Sequence, residues 1–89
     1  EVDRKARLRC GADVYEVHVC DVSQGGVKIE TDAELPMNGD VVVTLEGFRP
    51  LPGIVRWAHD GQAGINFIQV IPIAELCEWL RAGDTRPER

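Results

Sequence analysis

The chain is poor in the residues that build stapled or metal-held folds. Its three cysteines, Cys10, Cys20 and Cys77, are odd in number and contain no Cys-x-x-Cys pair. That pattern argues against a disulfide framework or a zinc site, and for reduced thiols in a cytosolic setting. The two histidines, His18 and His59, have no acidic or thiol partner at metal-ligand spacing, so no metal is expected. No apolar run approaches the roughly 18 residues of a membrane-spanning helix, so no membrane insertion is expected. Glu1-Val2-Asp3-Arg4-Lys5 lacks the apolar stretch of a signal peptide. Positive charge is also short, with ten Lys and Arg against fifteen Asp and Glu and a net charge of −5. Such a balance disfavours DNA or RNA as partners, which need clustered cations against phosphate. It leaves room for a small anion, which responds to the local field rather than to the sum. There is no Gly-rich phosphate loop, no internal repeat and no low-complexity segment. Ser23 has Asp21 nearby but no histidine placed by sequence to activate it, so the chain is not expected to be an enzyme.

What is present is alternation. At 89 residues the chain is one small domain, able to bury about 60–65% of its unfolded surface. Lys5, Arg7 and Arg9 share one face of a first strand, while Ala6, Leu8 and Cys10 share the core face. Tyr15, Val17 and Val19 alternate in a second strand, and Val27 and Ile29 in a third. A polar loop from Asp32 to Asp40 precedes Val41, Val43 and Leu45, and a further strand runs from Leu51 to Trp57. His59-Asp60-Gly61 reads as a hairpin turn before Ala63, Ile65 and Phe67. Turns recur at intervals of roughly 8–12 residues, the pattern of an antiparallel sandwich or barrel. The period then changes. Ile73, Leu76, Cys77 and Leu80 fall at i, i+3, i+4 and i+7, which predicts a short C-terminal helix with Pro72 in its first turn and Gly83 as its stop. Residues 1–83 are read as the domain and 84–89 as a tail.

Between the second and third strands lies Asp21-Val22-Ser23-Gln24-Gly25-Gly26. Turn residues of this kind can satisfy themselves, since Asp and Ser bond nearby backbone groups and glycines accept unusual conformations. The same residues suit a ligand. An Asp carboxylate can take two N–H donors at once, as the N1–H and N2–H edge of guanine offers. A Ser hydroxyl can donate to phosphate or sugar, and a glycine at Gly26 permits close approach. Arg4, Arg7 and Arg9, in the densest basic segment, could supply forks to phosphate or guanine. On an edge strand they could equally form a solvated face.

The Asp-x-Ser-x-x-Gly spacing resembles the second ligand motif of the PilZ domain family. Gly26-Val27-Lys28-Ile29-Glu30, Leu35-Pro36-Met37-Asn38-Gly39-Asp40, Gly53-Ile54-Val55-Arg56-Trp57 and Gly64-Ile65-Asn66-Phe67 support the resemblance, which runs from about Ala6 to Leu80. The resemblance implies a mainly β fold, a six-stranded antiparallel barrel with a C-terminal helix. It also implies a bacterial, cytoplasmic receptor for the second messenger cyclic di-GMP, with Asp21, Ser23 and Gly26 in the site. Trp57 is expected to pack on the barrel rather than to serve as a ligand platform. The family's Arg-x-x-x-Arg motif is not matched, because Arg4 and Arg7 are three apart and the Lys5–Arg9 pair has lysine at one end. The chain is therefore expected to be a piece that begins after its own arginine motif. The competing expectation is a protein-interaction module with a degenerate site, docking an effector protein or neighbouring domain. Trp79, off the helical stripe, would then be either an exposed anchor or packing at the barrel mouth.

Overall fold

The computed structural model describes residues 4–84, so most of the expected tail over 84–89 lies outside the described residues. Six strands succeed one another: β1 (Arg4–Cys10), β2 (Asp13–Val22), β3 (Gly26–Glu30), β4 (Asp40–Leu45), β5 (Pro50–His59) and β6 (Gln62–Phe67). The helix α1 (Ile73–Asp84) comes last. The strands close into a barrel in the order β1-β2-β3-β6-β5-β4, and every neighbouring pair is antiparallel. Closure is made by β1 against β4, with Ala6 opposite Leu45 and Leu8 opposite Val43.

The alternation read from the sequence sets which side chains fill the barrel. Ala6, Leu8, Val17, Val19, Val27 and Ile29 are buried on the first three strands, and Lys5, Arg7 and Arg9 are exposed on the outer face of β1. The hairpin joining β5 to β6 turns through Asp60 and Gly61, both at positive φ, and pairs His59 with Gln62. Positive φ at both central residues is the two-residue turn whose twist matches the strands. β5 begins at Pro50 and ends at His59, longer at both ends than the Leu51–Trp57 expectation.

Two register shifts interrupt the alternation. Opposite β3, β2 carries one extra residue, Cys20, between Val19 and Asp21. Opposite β6, β5 carries one extra residue, Arg56, between Val55 and Trp57. Such bulges reverse the phase of the strand beyond them. Asp21 would otherwise share the inward side of Val17 and Val19, and Trp57 that of Gly53 and Val55. Both are turned to the outside.

The helix docks by a different face from the expected stripe. Leu76 and Trp79 are buried and Leu80 half-buried, whereas Ile73 is 57% exposed and Cys77 is exposed. The reason is Trp79. Its indole is the largest apolar surface on the helix, and its Nε1–H donates to the Glu46 carbonyl at 2.7 Å. Burying that ring with its polar atom satisfied outweighs burying Ile73 and Cys77. Trp79 thus packs at the barrel mouth. Pro72 stands just before the first helical residue and its carbonyl accepts from Leu76 N–H at 3.1 Å, while the helix runs one residue past Gly83. No helix among the described residues is long and apolar enough to cross a membrane.

Candidate functional site

The bulges bring four residues into one row across the outer face. Asp21 on β2 pairs with Lys28 on β3, Lys28 with Gly64 on β6, and Gly64 with Trp57 on β5. With strands about 4.8 Å apart, the row spans about 14 Å from carboxylate strand to indole strand. An open groove of about 470 Å³ lies over it, lined by Asp21, Ser23, Gly26, Lys28, Trp57 and Asn66. That volume is in the usual range for a small-ligand pocket.

Each lining residue has a local cause. Asp21 is exposed, and its Oδ1 accepts the Val22 N–H at 3.0 Å. Ser23 closes the turn, with its N–H donating to the Gly26 carbonyl at 2.9 Å and its hydroxyl reaching the same oxygen at 3.4 Å. The backbone bond holds the turn when the hydroxyl is redirected to another acceptor. Trp57 lies against Gly64 so closely that a Cβ there would sit 2.2 Å from its Nε1. Its ring also neighbours that of His59, with centroids 5.1 Å apart and planes tilted by 40°. Trp57 therefore packs on the outer surface of the barrel, outside the core, and lines the groove. Gly26 does a different job from the one its spacing suggested. The space of its missing side chain is taken by the Ile65 carbonyl of β6, 2.3 Å from where a Cβ would be. Gly25, by contrast, has open space in that direction.

The bulge residue Cys20 flanks the row. Burial first, and then the charge and hydrogen bond of Glu30, push its thiol pKa up from the ordinary 9.0. The thiol stays protonated at neutral pH and is a poor nucleophile.

The structure does not bring the three arginines to this groove. Arg4 continues the inward phase of β1. Its guanidinium lies 3.9 Å from the centroid of the Trp79 ring and donates to the Trp79 carbonyl at 2.7 Å. Arg7 stands between Glu16 and Thr44, and Arg9 between Val14 and Val42. Val14 is seven residues from Asp21 along β2, about 23 Å. A larger groove of about 670 Å³ runs between α1 and the β4–β5 loop, but its arginines are already engaged, Arg4 with Trp79 and Arg49 with Glu75. It is the seam that seats the helix. The expected arginine pair upstream of the first strand falls outside the described residues.

Lys28 and Asn66 line the groove but were not singled out from the sequence, whereas Trp57 packs on the barrel as expected, against Gly64 on its outer side. Alternation did mark Lys28 as outward, but nothing local linked it to Asp21, which depends on a one-residue register shift. Asn66 reaches the groove through the pairing of β3 with β6, strands separated by more than thirty residues.

The sequence matches the family described as PilZ domain over residues 1–82. No curated protein matches it.

Proposed function

The chain belongs to the PilZ domain family, many of whose domains bind cyclic di-GMP, and on that premise we propose that it is a non-enzymatic receptor for this nucleotide. The observation that carries the reading is the single outer row of Asp21, Lys28, Gly64 and Trp57, with Ser23 at its end. It offers the groups a guanine nucleotide needs. The Asp21 carboxylate accepts from the N1–H and N2–H edge of a guanine. The Ser23 hydroxyl swings from the Gly26 carbonyl to a phosphate oxygen, and Lys28 supplies positive charge to the same phosphate. Trp57 offers a face on which a base can stack. The reading implies a bacterial, cytoplasmic setting and a signal passed to a neighbouring domain or effector protein.

A second reading is favoured by the arginines. Arg4 is committed to Trp79, and Arg7 and Arg9 are remote from the groove. In that reading the nucleotide site is degenerate and the domain works by protein contacts alone.

Calorimetric titration of cyclic di-GMP into this chain at physiological salt, with GTP as the control, separates the two. Micromolar or tighter binding, absent for GTP, is expected. Asp21→Ala should then weaken it by about tenfold or more, the worth of a charged hydrogen bond. No heat with the nucleotide, or an unchanged affinity in Asp21→Ala, overturns the receptor site as assigned.

A further inference from the structure

The turn that carries Asp21 and Ser23 is bonded directly to the start of the helix. Ile71, in the connection between β6 and α1, is only 1% exposed. Both of its backbone polar groups are taken by one residue. Its N–H donates to the Gln24 carbonyl at 2.8 Å, and its own carbonyl accepts from Gln24 Nε2 at 2.8 Å. Gln24 sits at the centre of the turn, between Ser23 and Gly25. One residue on, the Gly25 carbonyl accepts the N–H of Phe67, the last residue of β6, at 2.9 Å.

The chain beyond Ile71 has little freedom to absorb a displacement. Pro72 comes next, its ring fixing its own φ and holding Ile71 in an extended conformation. The Pro72 carbonyl then accepts the bond from Leu76 N–H that opens the helix, and Leu76 is in the core. From Gln24 to the first turn of α1 the link therefore runs through two hydrogen bonds and a conformationally restricted Ile71-Pro72 step. A buried carbonyl that loses its partner is costly, so the grip on Ile71 either holds or the connection moves with it.

We propose that Gln24 is a positioning residue of the nucleotide site. Its two-point bond to Ile71 makes the shape of the Asp21–Gly26 turn and the seating of α1 one coupled equilibrium, so that occupancy of the groove is felt under the helix at Trp79. The ligand half of this inference rests on the receptor reading; the Gln24–Ile71 link itself does not. Coupling of this kind is reciprocal: whatever the nucleotide does to the helix, loosening the helix does to nucleotide affinity.

The molecule carries its own two probes. Its only tryptophans are Trp57, on the groove, and Trp79, whose indole N–H is bonded to the Glu46 carbonyl. In a ¹⁵N-labelled sample their indole resonances report the two ends separately. Without ligand, Gln24→Ala is expected to speed amide exchange in α1 by about fivefold, the worth of one hydrogen bond, and to shift the Trp79 resonance. Exchange in β1 and β4 should stay at the wild-type rate. Gln24→Glu keeps the length but cannot donate to the Ile71 carbonyl, and should behave like Gln24→Ala. A residue that merely stabilised the fold would speed exchange everywhere. With saturating cyclic di-GMP, both indole resonances should move in the wild type and only that of Trp57 in Gln24→Ala. Unchanged exchange and an unmoved Trp79 in the ligand-free variants overturn the proposal. So does a wild-type titration that moves Trp57 and leaves Trp79 in place. A titration that moves neither overturns the receptor reading instead, and the ligand-free exchange then decides the link alone.

Discussion

Gly25 and Gly26 are adjacent and look alike in the sequence, yet a methyl group at each would meet different surroundings. At Gly26 it would press on the Ile65 backbone carbonyl, which cannot move without β6; at Gly25 it would enter open space. Gly26→Ala should therefore destabilise the domain by about 1–3 kcal/mol, the cost of overpacking against fixed atoms. Gly25→Ala should stay within about 0.5 kcal/mol of the wild type. Urea unfolding midpoints at constant slope measure both. Equal effects would mean that the closeness of β3 to β6 does not set the requirement at Gly26. Asp21 and Ser23 were legible as the polar residues of a turn because their chemistry is local. The role of Gly26 was not, because the atom that demands a glycine there belongs to a strand nearly forty residues further on.

Among the elements, α1 is where periodicity and structure part. Spacing picked Ile73, Leu76, Cys77 and Leu80 as one stripe, and only Leu76 and Leu80 of these turn toward the barrel. A count of apolar positions weighs each residue equally, whereas docking weighs area and satisfied polar atoms. Trp79, with its bond to Glu46 and its ring under Arg4, rotates the helix toward itself. Truncation should reveal the true face. Trp79→Ala is expected to cost about 3–5 kcal/mol and Leu76→Ala about 2–5 kcal/mol, as for other buried side chains. Ile73→Ala should change stability by no more than about 0.5 kcal/mol, as an exposed position does. Thermal melts of the three variants check the order, and a large loss at Ile73 would restore the stripe. The strands were more legible than the helix because a half-buried strand shows its phase in two residues. The bulges at Cys20 and Arg56 were hidden for the same reason: one extra residue leaves composition untouched and inverts only the part of the strand beyond it.

At the scale of the whole molecule, turn spacing alone pointed to antiparallel strands and left sandwich and barrel both open, and it was the resemblance to the PilZ family that selected the six-stranded barrel observed. The choice is made by pairings between distant segments, β1 with β4 and β3 with β6, which no local pattern encodes. Those pairings also decide how the domain comes apart. Leu76 and Trp79 of the helix belong to the same buried cluster as Leu8, Ile29 and Ile65 of the barrel. A helix of twelve residues is marginal on its own in water. It has no stable existence off the barrel, and the barrel without it exposes its mouth to water. The two should therefore unfold together in urea as one two-state transition, with local opening of α1 alone so sparsely populated that hydrogen exchange detects it and a urea titration does not. Helical ellipticity, the Trp57 signal and the Trp79 signal should share one urea midpoint. A helix that melted first would separate Trp79 from Trp57 along the urea axis. It would also show that the seam between α1 and the β4–β5 loop is weaker than the barrel's own closure. Coincidence is the outcome that the shared core demands, because neither part can lose the other without opening the apolar surface that both were built to cover.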